Sequence, residues 1–103
     1  MTMSCISGFD WDDANSAKCC KHGVSHGEIE EVLSGEPGIF PDPAHSQDEA
    51  RFIAIGTTVL GRYVFVAFTI RTATDGDRLI RPISARYMHA KEVRHYERQQ
   101  RKP

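Results

Sequence analysis

The sequence predicts one α+β domain: two N-terminal helices, a small antiparallel sheet of three to four strands, and a C-terminal helix, with the helices on one face of the sheet. Three observations carry this. The chain has 103 residues, enough for a single domain (1–103, core about 9–98) with one modest core. A helix start signal and an apolar stripe at helical spacing occupy residues 25–34. From residue 51 to residue 86, apolar runs alternate with turn residues in the manner of a meander.

Phe9-Asp10-Trp11 is a short extended segment suited to a sheet edge. Asp12 or Asp13 caps a helix running to about Lys21, which His22-Gly23 stops. Ser25 and Glu28 form a capping box, with Val24 and Ile29 placed as a hydrophobic staple. Ile29, Val32 and Leu33 share one face of that helix, and Gly35 ends it. Pro37-Gly38 breaks the chain before an extended Ile39-Phe40, and Pro41-Asp42-Pro43 opens a loop through His45-Ser46.

Strands are predicted over Arg51 to Thr58, Tyr63 to Arg71 and Arg78 to Arg86. The middle one is apolar on both faces, as a central strand is. Asp75-Gly76 supplies a hairpin turn, and Pro82 marks an edge or a bulge. Tyr87 to Gln99 is the closing helix, and Met1 to Ser7 and Gln99 to Pro103 read as loose ends.

Several classes are excluded or disfavoured. The longest apolar stretch, Tyr63 to Ile70, is too short to span a bilayer, and Met1 to Gly8 lacks the pattern of a signal peptide, so no membrane role and a cytoplasmic location are expected. Cys5, Cys19 and Cys20 are an odd set without disulfide or zinc spacing, so free thiols and no metal are expected. No Gly-x-Ser-x-Gly and no glycine-rich phosphate loop is present, and no cofactor is called for.

The net charge of −1 hides a division. Residues 1–50 hold two Lys/Arg against ten Asp/Glu, and residues 51–103 hold eleven against four. The basic half suits a polyanion or an acidic partner; the alternative is mutual neutralisation within one fold. Lys91, Arg94, His95 and Arg98 share one helix face and could track phosphates. Arg62 and Arg71 bracket the central strand. Arg86 stands at a strand-to-helix junction with Tyr87, His89 and Lys91, a plausible phosphate site.

Taken in order, Trp11-Asp12, Lys21-His22-Gly23-Val24-Ser25, Pro41-Asp42-Pro43-Ala44-His45-Ser46, Glu49-Ala50-Arg51-Phe52, Ile55-Gly56, Gly61-Arg62 and Arg81-Pro82-Ile83-Ser84-Ala85-Arg86-Tyr87-Met88 resemble the BrnT family of toxins from bacterial type II toxin–antitoxin modules. The resemblance spans roughly Phe9 to Glu97. Its closing motif, Arg81 to Glu92, departs from the usual pattern and marks a distinct subgroup. It implies a RelE-like fold and metal-independent RNA cleavage that inhibits translation. It also implies neutralisation by a ribbon-helix-helix antitoxin of BrnA type, with operator DNA bound only through that antitoxin. Residue by residue, His22, Glu49, Arg51, Arg62, Arg71 and Arg86 fall on the family's motifs.

Cleavage of this kind needs a base for the ribose 2′-hydroxyl, an acid for the leaving 5′-oxygen, and cations for the phosphorane charge. Arg62, Arg71 and Arg86 suit the third task. His89 is the candidate acid, and Glu49 or Lys91 the candidate base. His22, Arg51, Tyr87, Lys91, Arg94 and Arg98 are assigned to RNA binding. The rival reading is a non-catalytic module that grips an antitoxin or nucleic acid through the same basic half. Arginines opening on one concavity favour the enzyme; scattered ones favour binding.

Overall fold

Reciprocal capping bonds start both N-terminal helices of the protein, whose computed structural model describes residues 6–101. Before α1 (Asp13–Cys20), the Asp12 carboxylate accepts from the Asn15 amide at 3.0 Å, and the Asn15 side chain accepts from the Asp12 amide at 2.7 Å. Before α2 (His26–Ser34), Ser25 and Glu28 exchange the same pair of bonds, each 3.1 Å long. Val24, preceding that cap, is buried with Ile29, as the staple requires. Asn15 also donates to the carbonyls of Asp10 and Pro82, at 2.9 and 2.8 Å, which ties α1 to the sheet.

The sheet has five strands: β1 (Ile6–Phe9), β2 (Gly38–Pro41), β3 (Arg51–Thr57), β4 (Tyr63–Thr72) and β5 (Arg78–Tyr87), in the order β1-β5-β4-β3-β2. A 3-10 turn at Pro43–His45 joins β2 to β3 by way of the following loop. The β2-β3-β4-β5 ladder is antiparallel, and β1 runs parallel to β5 with Ile6 opposite Arg78. The expectation of three to four antiparallel strands is therefore corrected to five in a mixed sheet. Ile6 and Ser7, expected to be loose, belong to β1, whereas Met1 to Cys5 lie outside the described residues. Phe9 closes that strand, so Asp10 and Trp11 follow it.

Pro82 sits at a bulge, not an edge. Ala67 faces Ser84 and Phe68 faces Pro82, leaving Ile83 as the extra residue of an interior strand. Between β4 and β5, Gly76 takes φ +90° in a tight turn closed by the Gly76 amide on the Ala73 carbonyl.

Alternation along β4 separates two faces. Val64, Val66 and Phe68, fully buried, join Ala54, Ile80 and Ala85 and the α1–α2 residues Cys19, Ile29, Val32 and Leu33 in one core. The other face presents Tyr63, Phe65, Ala67, Thr69 and Arg71, paired across to Ile55, Ile53 and Arg51 of β3. The last helix, α3 (Ala90–Arg101), lies against this second face: Tyr96 meets Phe40 and Tyr63 edge-on at 6.3 and 6.0 Å. The helices thus cover both faces, not one as expected. The closing helix also starts three residues later than expected, because Tyr87 still pairs with Val64, and the Met88 amide bonds to the Tyr63 carbonyl at 3.0 Å. Among the described residues no helix is long and apolar enough to cross a membrane.

Candidate active site

The loop between β2 and β3 is folded back on itself by one serine. Ser46 Oγ donates to the Asp42 carbonyl at 2.6 Å and accepts from the Arg51 amide at 2.9 Å, while the Asp42 amide bonds to the Arg51 carbonyl at 2.9 Å. The 3-10 turn therefore delivers His45 beside the first residue of β3. His45 Nδ1 lies 3.1 and 3.0 Å from the two carboxylate oxygens of Asp42. Nδ1 carries the proton in such a contact, which leaves Nε2 as the outward atom.

Four further side chains gather at this end. Arg51 stands opposite Thr69 in the β3–β4 register. Arg71, two residues along the same face of β4, holds Glu49 with Nε 3.0 Å from one carboxylate oxygen. His45, Gln47, Asp48, Glu49, Arg51 and Thr69 line a cleft of about 390 Å³. Arg51 forms no ion pair among the described residues. Thr69 is 3% exposed, and its hydroxyl has no hydrogen-bond partner among the described residues. A buried hydroxyl without a partner is costly, and it borders the cleft.

Arg62 occupies the opposite end of the sheet. It stands nine positions before Arg71, which at strand rise is about 30 Å. Its guanidinium sits 3.4 Å from the ring centroid of Tyr87, whose hydroxyl donates to Glu28 at 2.7 Å. That bond is the main cause raising the Tyr87 phenol above its ordinary value. Glu28 is held low, first by the Ser25 amide and then by Tyr87. The Lys-His-Gly motif arrives here too: the Gly23 carbonyl is 3.4 Å from the Tyr87 hydroxyl, with His22 exposed beside it. Arg62, Tyr87 and Arg94 line a second cleft of about 490 Å³.

Arg86 is on the far side of β5 from Tyr87, over the Phe65 ring at 4.8 Å. The anion at its guanidinium is Glu92, gripped at 2.8 and 2.9 Å by both terminal nitrogens. Glu92 also accepts from the His89 amide at 3.0 Å, so it occupies the helix start as well. The expected phosphate position is filled by a side chain of the protein itself. The His89 ring is exposed at this end, remote from Glu49. The cationic face of α3 divides: Lys91, His95 and Arg98 border a groove under the helix, and Arg94 borders the Arg62 cleft.

The structure therefore brings together Glu49, Arg51 and Arg71 at one end. It brings together Arg62, Tyr87, Arg94, His22, Arg86 and His89 at or around the other. His45 and Thr69 line the first cleft and Asp42 holds His45, and sequence reasoning left all three without a role. His45 was legible as part of the Pro41-to-Ser46 segment and as three positions after Asp42 in a proline-rich turn, a spacing that lets a 3-10 turn pair them. Among the described residues no three His, Cys, Asp or Glu side chains are grouped as metal ligands.

Residues 11–92 match the family model of the ribonuclease toxin BrnT of type II toxin–antitoxin systems, a span that covers most of the chain. No curated protein matches the chain.

Proposed function

Because the chain belongs to the BrnT family of ribonuclease toxins from type II toxin–antitoxin systems, we propose that it cleaves RNA without a metal ion in the cleft of His45, Glu49 and Arg51, with Arg71 beside it on Glu49. The observation that carries this is the meeting of His45, held by Asp42, with Glu49, Arg51 and the unpartnered Thr69 hydroxyl in one cleft, Arg71 standing beside it on Glu49. Glu49 takes the proton of the ribose 2′-hydroxyl. The 2′-oxygen bonds to phosphorus as the bond to the 5′-oxygen breaks, and His45, acting as the doubly protonated imidazolium with Nδ1 held by Asp42, gives that oxygen its Nε2 proton. The products are a 2′,3′-cyclic phosphate and a free 5′-hydroxyl. Arg51 and Arg71 hold the charge that builds on the phosphoryl oxygens. Thr69 donates to the same phosphate or to a ribose hydroxyl.

In this reading Arg86 is a positioning residue that fixes the start of α3 through Glu92. Arg62, Tyr87, Arg94 and His22 guide the strand at the other end, and Lys91 and Arg98 along α3. His89 is too far from Glu49 to share one phosphate with it. The fold is RelE-like, the RNA is one used in translation, and the setting is the cytoplasm. The partner is a ribbon-helix-helix antitoxin of BrnA type, through which alone operator DNA is bound.

The test is cleavage of a defined RNA by purified protein in the presence of EDTA, with folding checked by circular dichroism. Glu49→Gln and His45→Ala are each expected to slow cleavage by about 100-fold or more. Cleavage at the wild-type rate by both folded variants would sink the assignment. A wild type that binds RNA and antitoxin but cuts nothing would transfer the case to the non-catalytic module.

A further inference from the structure

The groove beneath α3 is separate from the cleavage cleft, and apart from Lys91 and Arg98 as guides along the helix no role above uses its residues. Phe40, Ile55 and Phe65 form its floor, and Lys91, His95 and Arg98 stand along its rim, around about 590 Å³. Its one acidic lining residue, Glu92, is already matched by Arg86. Phe40 is 39% exposed, high for a phenylalanine. Tyr96 meets Phe40 at 86° between ring planes, an edge contact that leaves flat aromatic surface unstacked. The close approach is built in: a Cβ at Gly38 would fall 2.5 Å from the Tyr96 hydroxyl, so only glycine admits this ring position. Phe65 and Thr69 lie on one face of β4, four residues or about 13 Å apart, so the groove and the cleft open on the same surface.

We infer that this groove is a base-binding subsite for the RNA strand cut in the neighbouring cleft, taking one unpaired nucleobase against Phe40 and Tyr96 with a flanking phosphate on Arg98, His95 and Lys91. The inference rests on the ribonuclease reading for its ligand but not for its chemistry. Aromatic surface under a cationic rim is what a single strand requires, because every base offers a flat face and every linkage a negative charge. An apolar floor with an uncharged rim would suit a protein helix instead. The continuity of the face with the cleft sets where the rest of the strand runs.

The test uses a short RNA with 2′-fluoro sugars, which lacks the attacking hydroxyl, carrying 2-aminopurine at successive positions. Wild-type protein is expected to quench the fluorophore at one position. Phe40→Ala is expected to lose that quenching and to weaken binding about 5- to 100-fold. Arg98→Gln is expected to weaken binding and to lower its salt dependence by about one counterion. Glu49→Gln is expected to keep the quenching while unmodified RNA is no longer cut. Unchanged affinity and quenching in folded Phe40→Ala and Arg98→Gln would overturn the subsite. So would variants that keep RNA affinity but lose an antitoxin, which would make the groove a protein site. Quenching by a wild type that cuts nothing would uphold the groove and sink the catalytic reading. Cleavage without quenching at any position would overturn the groove alone.

Discussion

Arg86 and Glu92 form a two-pronged ion pair, 2.8 and 2.9 Å, that ties the last residues of β5 to the first turn of α3. The same carboxylate accepts from the His89 amide, so one side chain caps the helix and neutralises the arginine. The first residues of α3, Ala90 and Lys91, are exposed.

This pair makes the docking of α3 sensitive to acid. Arg86 first, then the His89 amide, holds the Glu92 carboxyl down at about 2. A carboxyl depressed in the folded state contributes its stabilisation above its ordinary value of about 4.3, and loses it as pH falls through the folded value. The start of α3 is therefore expected to loosen between about pH 4 and pH 2. Amide exchange at His89 and Val93 reads this directly. Glu92→Gln should exchange faster at neutral pH and lose the acid step; an unchanged step in that variant would refute the account.

The N-terminal half depends on its caps. Ser25→Ala removes the acceptor for the Glu28 amide and is expected to cost about 0.5–2 kcal/mol in thermal or urea unfolding. Asn15→Ala should cost more than a cap alone, because it also strips a donor from the buried Pro82 carbonyl, a loss of about 1–3 kcal/mol. A smaller loss for Asn15→Ala than for Ser25→Ala would show that the link to Pro82 is energetically idle.

These two caps also show what was legible beforehand. The Ser25 box, a cap at Asp12 or Asp13 and the central position of β4 follow from residues within a few positions of one another, so a pattern reveals them. The parallel pairing of β1 with β5 joins segments at opposite ends of the chain, and four residues carry too little periodicity to announce it. The side of the sheet taken by α3 depends on Tyr96 meeting Phe40, again a distant contact. The same limit governed the site. Arg62 and Arg71 were visible at the two ends of the central strand, but only the strand register sets Arg86 opposite Phe65, away from Arg71. Only the Asp42–Ser46–Arg51 bonds bring His45 to Arg51.

The thiols of α1 should differ in reactivity. Burial, aided by the neighbouring Cys20, pushes the Cys19 thiol up to about 11, and its side chain is fully enclosed. At pH 8 about one molecule in a thousand would carry the thiolate, the form that reacts. Cys19 is expected to resist alkylation in the folded protein and to react promptly in urea. Mass spectrometry of the labelled peptides distinguishes it from Cys20. Equal labelling of Cys19 before and after unfolding would contradict its burial. Cys5 lies outside the described residues.

Thr69 separates stability from function. Its hydroxyl is buried and has no partner among the described residues, so the folded protein carries a desolvated polar group without return. Valine has nearly the same shape and no such group. Thr69→Val is therefore expected to leave stability unchanged or raise it by about 1 kcal/mol. If the residue were only structural, activity would follow stability and hold or rise. If the hydroxyl meets the substrate in the cleft with Arg51, the variant loses a hydrogen bond worth about 0.5–1.5 kcal/mol, and cleavage slows about 2- to 10-fold. Thr69→Ser restores the hydroxyl and should recover most of the rate while losing a buried methyl, so its stability falls as its activity returns. Opposite movements of melting temperature and rate across the two variants are the expected signature. Parallel movements would remove Thr69 from the site and weaken the case for cleavage at that end of the sheet.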